Sequence, residues 1–303
     1  MAYLKKIAAV IVTFNRKELL FQCIDCLEKQ TVDGMDILVI DNASTDGTDE
    51  DLVPFVQSGR VNYFNTGENL GGAGGFSFGI ERAAELGYEF IWLMDDDTMT
   101  HPDTLEKLLK ADRELSGNYG FLSSTALWTD GSKCRMNVQK RDVFSHLSGE
   151  EKLIEQIGVA TFVSLFLPTR IVKEVGLPVR EFFIWTDDVE YTDRISSKFP
   201  CYLVRDSVVT HAMKTNIGVD LASENSGRLE RYRYCYRNEM YVYRRHGLKG
   251  ALYLIAKDGY HALRIILKSK GSKGKKLKVL FGGVKDGFSF RPKIRYLKES
   301  NNG

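Results

Sequence analysis

The sequence has no apolar run approaching the roughly 20 residues needed to cross a bilayer, so a membrane-spanning helix is not expected. Its five cysteines are odd in number and scattered over 303 residues, which speaks against a disulfide framework. Cys23 and Cys26 form a CxxC, but no second CxxC and no nearby His completes a zinc site. The pair lies among Leu19, Leu20, Ile24 and Leu27 at helical spacing, the setting of small apolar core residues in a reducing compartment. Internal repeats are absent. The start, MAYLKKIAAVIVTF, has a basic pair before an apolar stretch, but no small-residue cleavage site follows and the stretch runs into TFNR. It reads as a buried first strand of a cytoplasmic protein.

Apolar residues make up 43% and charged residues 27% of the chain, enough for a sizeable core. The net charge is only +2, yet it is unevenly distributed. Residues 231–303 carry 19 Lys and Arg against 4 Asp and Glu, and the rest carries 23 against 36. Such a split predicts two functional parts, the basic one facing an anionic partner. A boundary near residue 225 separates them, dividing the chain into 1–225 and 226–303.

The first half alternates short apolar runs with amphipathic stretches, the pattern of an α/β protein with a mainly parallel sheet. Strands are predicted at Ile7–Phe14, Asp36–Asp41, Val61–Phe64 and Glu89–Met94, and helices at Lys17–Lys29 and around Phe76–Leu86. Ser44, Thr45 or Asp46 is expected to cap a helix, and Pro102 to open the first turn of another. Further on, Val159–Pro168 reads as a long strand, Asp187–Phe199 as a helix and Cys201–His211 as a strand. Past residue 222 the chain is rich in Arg and Tyr, Leu248–Leu267 is amphipathic, and GSKGKKLK reads as a solvated basic linker.

Four features fall at predicted strand ends, where ligands of open α/β sheets bind. Asp95, Asp96 and Asp97 are adjacent carboxylates that repel one another, unless a hard divalent ion bridges them to a diphosphate. The rival reading is a solvated acidic turn before the helix at Pro102. The stretch Asn69-Leu70-Gly71-Gly72-Ala73-Gly74-Gly75 reads as a glycine-rich loop leading into the helix around Phe76–Leu86. It lets backbone N–H groups approach a ligand, with spacing that matches neither a Walker loop nor GxGxxG, and a plain flexible loop is the rival. Thr13, Phe14, Asn15, Arg16, Asp41 and Asn42 offer an aromatic, amides and a carboxylate to a base and a ribose, with helix capping by Asn15 the competitor. Lastly, Trp185, Asp187 and Asp188 open a helix, where a carboxylate can serve as a general base or merely as a cap. His211 ends a strand and could complete a metal site with the aspartates. His101, His146, His246 and His261 are expected to be structural.

Taken together, VIVTFNR, VIDNASTDGT, NLGGAGGF, a strand ending in DDD, and WTDDVEY resemble inverting family-2 glycosyltransferases of the A-type nucleotide-binding α/β fold. FIWTDDVEY, the later His and RYRYCYRN resemble its galactofuranosyltransferase branch, with rhamnosyltransferases close by. The resemblance spans roughly residues 5–240. It implies uridine and ribose contacts from Phe14, Asn15, Arg16, Asp41 and Asn69, and donor contacts from Thr13 and Gly72 beside them. Asp95 and Asp97 would touch ribose and metal, Asp96 the donor sugar; His211 would be a further ligand to Mn²⁺ or Mg²⁺, and Asp188 the base. Trp185 and Asp187 would face the acceptor, although galactofuranosyl enzymes tend to carry the Trp directly before the aspartate pair. The QxxRW motif of processive synthases is absent, so one or a few sugars per encounter are expected.

The expected partners are a nucleotide-diphosphate sugar, best read as UDP-galactofuranose, and a polyprenyl-diphosphate-linked or oligosaccharide acceptor. An anionic membrane surface at the inner face of the cell membrane suits the basic C-terminal part. Nucleic-acid binding is not expected, and self-association is left open. A rhamnosyl- or other hexosyltransferase is the runner-up. A nucleotidyltransferase is disfavoured because TFNR supplies no phosphate motif after the first strand, and a silent sugar-nucleotide module because it has no need of Asp188.

Overall fold

Strand β1 (Ile7–Thr13) is buried along its whole length and pairs in parallel with β2 (Met35–Asp41) and β4 (Phe90–Asp95). Its near-continuous apolar run reflects burial on both faces. Ala8, Val10 and Val12 pack into one core cluster, Ile7, Ala9 and Ile11 into another. The first core is roofed by α3 (Gly71–Glu85), the second by α1 (Lys17–Leu27), α2 (Thr48–Gln57) and α4 (Thr104–Glu114). The computed structural model describes residues 6–147, 152–218, 220–224 and 227–298. The boundary expected near residue 225 lies outside the described residues.

The remaining strands are β3 (Asn62–Asn65), β5 (Thr98–Thr100), β6 (Leu122–Trp128), β7 (Lys140–Asp142), β8 (Ser145–His146), β9 (Ile154–Ile157), β10 (Leu165–Pro168) and β11 (Cys201–His211). The main sheet runs β3-β2-β1-β4-β10-β6-β11-β5, with β9 also on β11. Its first four strands are parallel, whereas β10 enters antiparallel between β4 and β6. This is the α/β architecture expected, with mixed pairing beyond β4.

Two short helices follow β10 and precede β11: α5 (Thr169–Val175) and α6 (Asp187–Ser196). The C-terminal part is helical, as expected, in α7 (Arg231–Arg244), α8 (Gly247–Lys268) and α9 (Lys273–Ser289). Helix α7 packs on the α/β part through Tyr241, Val242 and Tyr243, which share a cluster with Ala73 and Phe182.

Several expectations are corrected. The glycine-rich stretch is the first turns of α3 rather than a loop, because these positions must approach the sheet. A Cβ on Gly75 would lie 2.5 Å from Val12 Cγ1, and one on Gly79 2.5 Å from Val10 Cγ1. The long strand read at Val159–Pro168 shrinks to Leu165–Pro168, its first half being irregular chain that turns at Ser164 with a φ of 98°. GSKGKKLK is no solvated linker. Helix α9 starts within it, and Lys276 is 1% exposed, donating to the Ala222 carbonyl at 2.8 Å and Ser269 Oγ at 2.9 Å. Helix α2 starts at Thr48 with Gly47 at its cap, and β5 intervenes before α4, which begins at Thr104 past Pro102.

Candidate active site

Parallel register sets the site. Thr13 pairs with Asp41 and Val12 with Asp95, so β1, β2 and β4 end at one level. Asp96 and Asp97 form the turn between β4 and β5, and each is 3% exposed, which rules out the solvated acidic turn. Strand β5 pairs antiparallel with β11, placing Thr98 opposite His211. That pairing brings residues 114 positions apart into contact, with His211 Nε2 2.9 Å from Asp97 Oδ1.

Asp95, Asp97 and His211 offer ligand atoms that all lie within 4.8 Å of one another, the one such group among the described residues. Two carboxylates and an imidazole suit a divalent ion such as Mn²⁺ or Mg²⁺. The imidazole is oriented from behind, its Nδ1 2.8 Å from Asn137 Oδ1, leaving Nε2 to point at the carboxylates. Arg16 supplies a cation here, pairing with Asp96 Oδ1 at 3.0 Å and Asp97 Oδ2 at 2.6 Å. Thr13 Oγ1 donates to Asp96 Oδ2 at 2.9 Å.

The charges are strained as a crowded acidic pocket should be. Burial, with Asp97 next to it, lifts Asp95 to about 6, and burial lifts Asp96 to about 7 against the pull of Arg16. Burial alone would raise Asp97 too, but the bond and charge of His211, together with Arg16, hold it low. His211 is raised in turn, because Asp97 outweighs the burial that disfavours its cation.

A second carboxylate pair stands across from the first. Asp187 and Asp188 open α6, and both feel the charge of Asp95. Burial, and then Asp188, push Asp187 well above the usual carboxylate range. Burial lifts Asp188 to about 6, opposed by the N–H of Val189, which donates to Asp188 Oδ1 at 2.7 Å, and by the Lys140 ammonium. The approach to α6 is strained: Phe183, Trp185 and Thr186 all have positive φ, between 64° and 72°. This segment is gripped from two sides. Ala73 N donates to the Phe183 carbonyl at 3.2 Å, and the buried Asn238 side chain donates to the carbonyls of Phe182, Ile184 and Trp185 at 2.9–3.2 Å.

The other expected residues lie around this mouth. Phe14 is exposed, and Asn15 ties the loops after β1 and β2, accepting from Thr45 N at 2.7 Å rather than capping α1. Asp41 is fully buried, its oxygens taken by Tyr63 Oη at 2.7 Å and Ser44 N at 2.9 Å. Asn69 accepts from Gly71 N at 2.9 Å, and Gly72 faces open space. Trp185 packs edge-on against Tyr232 of α7, 4.9 Å between ring centroids. Asn137, Lys140 and Asn238 escape sequence reasoning, since the partners that matter here, His211, Asp188 and Trp185, are 48 to 74 residues away and nothing local marks them.

Comparison with known proteins gives the same reading. Residues 8–118 match the model of glycosyl transferase family 2. Over that stretch the chain is similar to that family. A galactofuranosyltransferase, GlfT1 of Mycolicibacterium smegmatis, is 27% identical over 203 residues, covering 64% of this chain and 67% of the relative. GlfT1 of Mycobacterium tuberculosis is 35% identical over 96 residues, 31% of each chain. A crystal structure of GalNAc-T7 with UDP, GalNAc and Mn²⁺ superposes with a TM-score of 0.62 at 14% identity, over 92% of this chain and 55% of that one. The likeness to GalNAc-T7 is one of fold, and the two relatives named are galactofuranosyltransferases.

Proposed function

We propose that this glycosyltransferase moves galactofuranose from UDP-galactofuranose onto a hydroxyl of a lipid-linked bacterial surface glycan, with inversion at the anomeric carbon. The observation that carries the reading is the gathering of Asp95, Asp97 and His211, with Asp188 of α6 near enough to feel the charge of Asp95. Asp95, Asp97 and His211 would hold Mn²⁺ or Mg²⁺, an ion that when bound neutralises charge on a departing diphosphate. Phe14, Asn15, Arg16, Asn69 and Gly72 would border the nucleotide, with Thr13 and the buried Asp41 supporting them from behind, and Asp96 would lie towards the donor sugar.

Asp188 takes the proton of the acceptor hydroxyl as its oxygen bonds to the anomeric carbon. The bond from that carbon to the diphosphate breaks on the opposite face, so configuration inverts. Lys140, facing Asp188, favours the ionised base. Trp185 and Asp187 border the acceptor side. Residues 1–225 would thus perform donor binding and chemistry, while the basic residues 226–303 face an acceptor at an anionic membrane surface.

The test is a donor panel read by thermal shift with Mn²⁺ and by the anomeric configuration of the product. Stabilisation by UDP but not thymidine diphosphate, with transfer from UDP-galactofuranose and inversion, is the expected result. Preference for thymidine diphosphate would instead point to a rhamnosyltransferase, and retention of configuration would remove Asp188 from its role.

A further inference from the structure

Helix α8 departs from an ordinary surface helix, which buries its apolar stripe and offers its charges to water, because much of its apolar side faces outward. In its middle, charged and polar side chains face the protein beside the buried Leu254 and Ile265. Lys257 pairs with Glu239 of α7, Arg264 with Asp220 at 2.7 Å, and His261 Nδ1 lies 3.0 Å from Tyr236 Oη. Its outward side carries Leu248, Leu252, Ile255, Leu263 and Ile266, which are between 49% and 76% exposed. At about 100° per residue these five fall within an arc of about 80°, a continuous stripe along a helix of 22 residues. Monomeric soluble proteins rarely leave so coherent an apolar strip in water.

Charge indicates what covers it. Exposed Lys249 lies at one end of the stripe, and exposed Lys268, Lys270, Lys273 and Lys275 at the other. A second copy of this chain would bring these lysines against their own kind, a repulsive pairing. A nucleic acid would satisfy the lysines but has nothing to offer five aliphatic side chains. A bilayer with anionic headgroups satisfies both sets, apolar face in the acyl boundary and ammonium groups among the phosphates. No helix among the described residues is long and apolar enough to cross a membrane, so α8 would lie in the plane of the interface.

We infer that the outward face of α8, with the lysines at its ends, is a docking surface for an anionic lipid bilayer. The inference rests on the membrane-facing reading of the C-terminal part and goes further, assigning the attachment to named aliphatic side chains rather than to net charge. Helix α7 connects α8 to the strained segment before Asp188.

The test is co-sedimentation of the full chain with vesicles of phosphatidylcholine alone or with phosphatidylglycerol, for the wild type and for Leu252→Ser/Ile255→Ser/Leu263→Ser. These side chains are exposed, so the variant should keep its fold, checked by its thermal stabilisation with UDP and Mn²⁺. The wild type is expected to sediment with the anionic vesicles and only weakly with neutral ones, and the variant to bind at least ~10-fold more weakly. A wild type that ignores anionic vesicles sinks the membrane reading itself. A variant that binds as tightly as wild type leaves that reading standing on charge alone and overturns the role of α8. A wild-type dimer in lipid-free solution that the substitutions dissociate also overturns it, since the face would then be covered by a second copy.

Discussion

The side-chain amide of Asn238 donates to the main-chain carbonyl of Trp185 at 2.9 Å, three residues before the proposed base. The same amide reaches the carbonyls of Phe182 and Ile184, and Arg237 beside it donates to Glu181 and Phe182. The strained backbone at Phe183, Trp185 and Thr186 thus lies in a segment that Asn238 and Arg237 of α7 hold. Asn238→Ala takes this donor from the carbonyls of Ile184 and Trp185, while that of Phe182 keeps Arg237 and the Ile184 N–H. It should cost about 2 kcal/mol of stability and lower kcat by ~10-fold while UDP affinity changes little. Denaturant unfolding with steady-state kinetics checks this, and an unchanged kcat in the destabilised variant would show that Asp188 is positioned without Asn238.

Asp188→Asn preserves shape and removes the base. Transfer should fall ~10²–10⁴-fold, with UDP and Mn²⁺ binding intact. Near-normal turnover would exclude Asp188 as the base.

The pH dependence follows from the raised carboxyl of Asp188, at about 6. A base acts only when ionised, so kcat/KM at saturating Mn²⁺ should climb as pH rises through about 6 and level off above it. Lys140 favours the ionised form, and Lys140→Met should therefore move the rising limb to higher pH, whereas Lys140→Arg should not. A limb that stays in place in Lys140→Met would remove Lys140 from this role.

Two glycines of α3 should respond in opposite ways. A Cβ on Gly75 would meet Val12 Cγ1 at 2.5 Å and Asn42 Nδ2 at 2.9 Å, so Gly75→Ala should destabilise by about 1–3 kcal/mol. Gly72 has nothing within 4 Å, so Gly72→Ala should stabilise the helix by about 0.5–1 kcal/mol. If Gly72 borders the donor, UDP binding should weaken all the same, and calorimetry with undiminished affinity would take Gly72 out of the donor site.

The strands that frame the site were legible in the sequence because burial on both faces makes them continuous apolar runs, as in Ile7–Thr13 and Phe90–Asp95. The acidic triplet was legible too, since three adjacent carboxylates need a reason. What was not legible depends on distant partners. Glycine weakens helices, so NLGGAGGF read as a loop, yet the contact of Gly75 with Val12, 63 residues away, is what demands glycine there. Lys276 read as solvated because its acceptor, Ala222, lies 54 residues back in the chain. Asn137 carries no local signal at all; only the fold places it behind His211.

The most direct measurement is calorimetric titration of UDP into the protein with Mn²⁺ and with EDTA. If Asp95, Asp97 and His211 seat a cation that bridges to the diphosphate, UDP should bind at least ~10-fold more tightly with Mn²⁺, and Asp97→Asn should abolish that gain. Equal affinity in Mn²⁺ and EDTA, or a gain that survives in Asp97→Asn, would contradict the account.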